Sequence, residues 1–121
     1  MWITALRSGS GREATHLRGL LDSDEVGLAA PVWIEILSGA SNRDRARLRG
    51  LLSALPLAFP SDATWTRIHD WLDPAGRAGE RFGFADLLIA GIAAEKNASI
   101  WSLDDDFRRM ARLGLVSVHE P

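Results

Sequence analysis

The residues best suited to chemistry in this chain are carboxylates set in apolar surroundings. Asp86 is the only polar side chain in the 13 residues from Phe82 to Ala94. A carboxylate there loses hydration, which is costly unless something compensates it. Two compensations are open. An Asp at a helix start accepts backbone N–H bonds and meets the positive end of the helix dipole; alternatively, a bound cation faces it. Asp104, Asp105 and Asp106 directly follow the run Ser99-Ile100-Trp101-Ser102-Leu103. Three adjoining like charges repel one another, and a cation would relieve them. Capping the next helix is the other duty open to one of the three. Glu35 lies inside Trp33-Ile34-Glu35-Ile36-Leu37. A first-turn position there favours an anion, although a solvated helix face is equally open to it.

The donor inventory narrows the choice of ion. The chain has no cysteine, so thiolate metal sites, cysteine nucleophiles and disulfides are excluded. His16, His69 and His119 are scattered without zinc spacing and read as structural or surface residues. Carboxylates alone suit a hard, oxygen-preferring cation such as Mg²⁺ or Mn²⁺. No phosphate-binding loop, dinucleotide fingerprint or nucleophile elbow is present.

The elements that must position these acids follow from periodicity and breakers. Thr4 to Leu21 reads as a helix region interrupted by Ser8-Gly9-Ser10-Gly11, and Val26 to Ala30 as a buried strand. Pro31 opens a helix with Val32, Trp33, Ile36, Leu37 and Ala40 on its apolar stripe. Asp44 to Leu55 is a helix expected to turn Leu48, Leu51, Leu52 and Leu55 inward. Leu57-Ala58-Phe59 is a short strand. Ser61 or Asp62 caps a helix that runs to about Leu72, where Asp73-Pro74-Ala75-Gly76 is expected to break it. Phe84 to Glu95 is the most apolar helix; Ser99 to Leu103 is a strand, Asp105 to Leu113 a helix ended by Gly114, and Leu115 to His119 a last strand. Strands alternating with helices imply a parallel sheet covered on both faces, whose ligands sit beyond the C-terminal strand ends.

A length of 121 residues fits one domain, and 46% hydrophobic with 25% charged residues is ordinary for a globular protein. No apolar run is long enough for a membrane span, and the N-terminus lacks the pattern of a signal peptide. These features and the lack of cysteine suit a reducing cytoplasm. The net charge of −2 gives no global field for nucleic acid. Arginine nevertheless supplies 13 of the 14 cations, in a row at Arg43, Arg45, Arg47 and Arg49 and a cluster at Arg108, Arg109 and Arg112. Such groups could flank a nucleic-acid groove, or could equally be solvated helix faces.

Three segments together resemble the PIN-domain ribonuclease toxins, the VapC-like half of a type II toxin–antitoxin pair. They are Pro31-Val32-Trp33-Ile34-Glu35-Ile36-Leu37-Ser38-Gly39, Phe84-Ala85-Asp86-Leu87-Leu88-Ile89-Ala90 and Trp101-Ser102-Leu103-Asp104-Asp105-Asp106-Phe107. The last resembles the family's Leu-Asp-x-Asp-Phe element. The spacing also agrees, with 51 residues from Glu35 to Asp86 and 18 from Asp86 to Asp104. The resemblance covers essentially the whole chain. It implies a three-layer α/β/α PIN-like sandwich around a parallel sheet, Mg²⁺- or Mn²⁺-dependent cleavage of RNA, and restraint by a cognate antitoxin. It also implies a homodimer. By resemblance, Glu35, Asp86 and Asp104 take three of the acidic, metal-holding positions, and Asp106 fits a fourth catalytic one.

The start departs from the family pattern, which has a strand ending in Asp-Thr/Ser-Ser-Val-Trp-Ile. Here Met1-Trp2-Ile3-Thr4-Ala5-Leu6 matches only the tail of that motif. The expectation is a single PIN-like domain over residues 1–121, truncated at its N-terminus and lacking the central first strand and first aspartate. A valine codon read as a start, or a truncated gene, would produce it.

The function so implied is a metal-dependent endoribonuclease toxin hydrolysing RNA phosphodiester bonds. Arg43, Arg45 and Arg108 are candidates to hold the RNA backbone, with single-stranded loops as the target. The alternative is a catalytically impaired PIN-fold module that only binds an antitoxin or partner, through a groove using Leu17, Leu20, Leu21, Leu48 and Leu52.

Overall fold

The computed structural model describes residues 2–4, 26–102 and 104–119. Its elements run β1 Trp2–Thr4, β2 Val26–Ala29, α1 Ala30–Gly39, α2 Asn42–Leu52, β3 Leu57–Ala58, α3 Asp62–Arg77, α4 Phe84–Glu95, β4 Ser99–Trp101, α5 Asp105–Arg112 and β5 Ser117–Val118. The five strands form one sheet in the order β3-β2-β1-β4-β5. All pairs are parallel. Consecutive residues of a strand face opposite sides, and all four residues of β2 are buried. The sheet is therefore covered on both faces, the α/β/α sandwich expected from the alternation of elements.

The expectation of a missing first strand is corrected. Trp2–Thr4 is itself the central strand, with Trp2 level with Val26 and Ser99 and Thr4 level with Leu28 and Trp101. Trp, Ile and Thr all favour extended backbone, and between β2 and β4 each ladder supplies bonds that a three-residue segment could not make alone. The expected helix over Thr4 to Leu21 gives way to strand at Thr4, and residues 5–25 lie outside the described residues.

Other boundaries are set by packing. α3 does not break at Asp73-Pro74-Ala75-Gly76 but continues through Pro74 to Arg77. Proline removes one backbone bond, yet Trp71 and Ala75 on either side of it are both buried and hold the last turn against the core. α2 has no buried residue. The expectation that Leu51 points inward is corrected, since it is 62% exposed. A two-residue gap to α1 fixes the rotation of α2, so its apolar stripe only grazes the core. Leu55, beyond the helix, is the residue of that stretch that is buried.

The core centres on α4. Leu28, Val32, Ile89, Ile92, Ile100, Trp101, Phe107 and Met110 are fully buried. Each aliphatic or Phe side chain among them stabilises by about 1.5–3 kcal/mol. α4 packs on α3 so closely that Gly91 meets Ile68 and Thr64. Beside this contact, Ser61 and Thr64 both donate hydroxyl hydrogen bonds to the Glu95 carboxylate. The α4–β4–α5 unit thus anchors both acid-bearing segments. α5 ends before Gly114, whose φ of +77° turns the chain toward β5.

Candidate metal centre

Asp86 is the third residue of α4, after the N-cap Gly83. It is not the N-cap itself. Its side chain is 5% exposed and lies in the first turn, where backbone N–H groups and the dipole favour a carboxylate. Asp104 is the third residue after β4, and Ser102 accepts a hydrogen bond from its backbone N–H at 3.0 Å. Asp104 is the N-cap of α5, its side chain accepting from the backbone N–H of Asp106 at 3.1 Å. The duty that sequence left open to one of three aspartates therefore falls to Asp104. Asp105 is exposed and pairs with Arg108 at 3.6 Å.

These elements bring Asp86, Asp104 and Asp106 together. One carboxylate oxygen from each lies within 4.8 Å of the others, with Asp86 buried and the other two half-buried. The group sits past the C-terminal end of β4, where open parallel sheets bind ligands. Glu35 is half-buried on α1, which packs against β2 and α4. It is not a member of the 4.8 Å group.

The donor set tests the fit of an ion. An octahedral Mg²⁺ at about 2.1 Å from each oxygen separates neighbouring ligands by about 3 Å and opposite ones by about 4.2 Å. Three carboxylate oxygens within 4.8 Å need only a small closure to reach that arrangement. An all-oxygen anionic set is also what Mg²⁺ and Mn²⁺ prefer. The residues fit the ion.

Sequence reasoning gave two groups no place at this site: Arg109, read only as part of an arginine cluster, and Glu80, not singled out. Arg109 forms ion pairs with both Asp106 and Glu80, and its guanidinium lies over the Phe82 ring at 5.2 Å from the centroid. Hydrogen bonding to Asp106, with help from the Glu80 charge, holds the guanidinium pKa above its already high ordinary value. Arg109 stands three residues after Asp106, a spacing that pairs side chains on a helix, so this half was legible. Glu80 is 29 residues away, and no local pattern announced it.

The arginines proposed for RNA divide by their partners. Arg45 donates to the carbonyls of Leu37 at 3.0 Å and Ala40 at 3.1 Å and to the Asn42 side chain at 2.8 Å, closing the end of α1. Arg43 is exposed, and Arg108 is half-buried beside Asp105.

The family model described as "PIN domain" matches residues 1–113. Solved structures share the fold at low identity. A chain in the structure of VapBC2 from Rickettsia felis bound to a promoter DNA fragment aligns with TM-score 0.76 and 17% identity, covering 98% of each chain. A chain of FitAcB from Neisseria gonorrhoeae gives TM-score 0.72 and 17% identity over 100% of this chain and 98% of that one. A chain of DNA-bound VapBC from Salmonella typhimurium gives 0.75 and 14% over 98% and 96%. A comparison with curated proteins returned no match.

Proposed function

We propose, from the premise that this chain belongs to the PIN-domain family, that it is a metal-dependent endoribonuclease, the toxin of a toxin–antitoxin pair. The observation that carries this reading is the convergence of Asp86, Asp104 and Asp106 within 4.8 Å beyond a parallel strand end. Asp86 and Asp104, with Asp106 beside them, would hold Mg²⁺ or Mn²⁺; Glu35, half-buried on α1, stands outside that 4.8 Å group. The bound ion would supply an acidified water and counter-charge for the scissile phosphate.

The protein's own groups do the rest. Asp86, fixed by its helix turn, presents a dehydrated carboxylate. Asp104 is held rigid by its capping bond. Asp106, held by Arg109 at the same group, would orient an attacking water. Arg43, exposed on α2, is available to RNA phosphates; Arg108 would reach them only in exchange for its Asp105 pair, and the bonds made by Arg45 give it a structural duty besides.

The partners follow the same reading. A cognate antitoxin is supported by the complexes named for the structural neighbours, VapBC and FitAcB. Ile34 and Leu51, exposed on α1 and α2, offer it apolar anchors. A homodimer would bury the exposed, stacked Trp65 and Phe84 pair together with Leu72. Among the described residues no helix is long and apolar enough to cross a membrane, and a cytoplasmic location suits an RNA substrate.

A second reading is favoured by one observation: the central strand β1 carries Trp2, Ile3 and Thr4 and no acid. A PIN-fold module with weakened ion binding would keep partner binding and lose cleavage. One experiment separates the two. Cleavage of a structured RNA with Mn²⁺, abolished by EDTA and by Asp86→Asn, supports the nuclease. Antitoxin binding without cleavage at any Mn²⁺ concentration supports the binding module.

A further inference from the structure

Three carboxylates within 4.8 Å repel one another. In many sites one of them relieves this by taking a proton. Here a guanidinium stands at the cluster, and arginine does not shed its proton in proteins. Arg109 reaches Asp106 from one helical turn along α5, while Glu80 engages the same guanidinium from the loop before α4. The Phe82 ring beneath it adds a cation–π contact. All three ionic side chains are about two-thirds or more shielded, at 31% exposure for Arg109, 26% for Glu80 and 32% for Asp106. Their mutual attraction is therefore less screened than that of a surface pair. Arg108, the residue before it, pairs with Asp105.

We infer that Arg109 is a resident counter-cation of the acid cluster, holding Asp106 when no metal is present and competing with a divalent ion for that carboxylate, while Glu80 restrains it. The inference rests on the metal reading above and concerns this chain's residues, not the chemistry of the loaded site. Its physical basis is a balance of charge. An incoming divalent ion meets a guanidinium already neutralising part of the cluster, so binding must weaken the Arg109–Asp106 pair or accept repulsion from it. Glu80 draws the guanidinium the other way and keeps the competition mild. Arg109 and Glu80 should thus move metal affinity in opposite directions, a pattern that general loosening of the fold would not give.

The test is Mn²⁺ titration of the EDTA-treated full chain by calorimetry, with melting temperature followed with and without Mn²⁺. Arg109→Gln is expected to lower the melting temperature without metal and to bind Mn²⁺ about 3- to 10-fold more tightly than wild type. Glu80→Gln is expected to bind it about 2-fold more weakly, because Asp106 then keeps Arg109 to itself. Arg109→Gln binding Mn²⁺ no tighter than wild type overturns the inference. Should Arg109→Gln not fold, Glu80→Gln decides alone, and unchanged or tighter binding overturns it. If wild type binds Mn²⁺ but the variants match it, this inference fails and the metal reading stands. If no variant responds to Mn²⁺, wild type included, both fall.

Discussion

The Asp104 carboxylate accepts a hydrogen bond from the backbone N–H of Asp106 at 3.1 Å, and both side chains belong to the same acidic group. One residue therefore caps the start of a helix and contributes charge to the candidate centre, and substitution can separate the two duties. Asparagine caps as well as aspartate, so Asp104→Asn should change stability by less than about 0.5 kcal/mol. Asp104→Ala should cost about 1 kcal/mol through loss of the cap. Both should reduce RNA cleavage to background. Thermal denaturation beside a cleavage assay checks this; an active Asp104→Asn would confine the residue to capping.

Arg43 and Arg45 are two residues apart on α2, yet they should behave differently. Arg45 bonds Leu37, Ala40 and Asn42, whereas Arg43 is exposed. Arg45→Ala should destabilise by about 1 kcal/mol, the net worth of such bonds at a partly exposed site. Arg43→Ala should leave the melting temperature unchanged and weaken RNA binding, with a shallower salt dependence. Binding of labelled RNA to Asp86→Asn protein at two salt concentrations measures this. Unchanged affinity in Arg43→Ala would remove it from the RNA surface.

The same contrast shows what sequence could and could not disclose. α4 was legible to the residue because a long apolar run between Gly83 and Lys96 admits one reading. Asp104 was placed because its position after β4 is a local property. β1 was not legible. Three residues carry too little periodicity, and Trp2–Thr4 is a strand because β2 and β4 flank it. Pro74 reads locally as a stop, and only the burial of Trp71 and Ala75 carries α3 past it. Glu80 meets Arg109 through tertiary packing alone. Sequence reveals the chemistry a segment brings; pairing and burial decide what it faces.

Acid should loosen the α3–α4 contact. Hydrogen bonds from Ser61 and then Thr64 hold the Glu95 carboxyl below its ordinary value of 4.5. A depressed folded value means that the unfolded chain binds the proton first. This stabilisation is thus fully present above the ordinary value and is lost as pH falls through the lower folded one. Glu95→Gln should melt below wild type near neutrality, and the gap should narrow below about pH 4.5 as wild type protonates. Melting temperatures of both proteins from neutral pH to acid follow it. A gap constant across that range would show that the Glu95 charge has no part in the contact.

Gly91 marks the closest approach of the same two helices. A Cβ there would lie 2.8 Å from Ile68 Cγ1 and 3.1 Å from Thr64 Cγ2. Two effects oppose each other in Gly91→Ala. Alanine gains up to about 1 kcal/mol of helix propensity, while forcing a methyl into a packed interface costs about 1–3 kcal/mol. The nearest atom, Cγ1, is bonded to Ile68 Cβ and Cδ1 follows at 3.0 Å, so relief needs the buried Ile68 side chain to turn or the helices to part. The packing cost should win, with a net loss of about 1 kcal/mol. Because α4 carries Asp86 in its first turn, that shift should also widen the acidic group and weaken Mn²⁺ binding. Gly91→Ala combined with Ile68→Ala removes the obstructing side chain and should recover Mn²⁺ affinity while remaining less stable than wild type, since Ile68 itself is buried. Denaturant unfolding and Mn²⁺ titration of the single and double variants measure both effects. A single variant more stable than wild type would mean that the two helices separate freely and that their contact does not position Asp86.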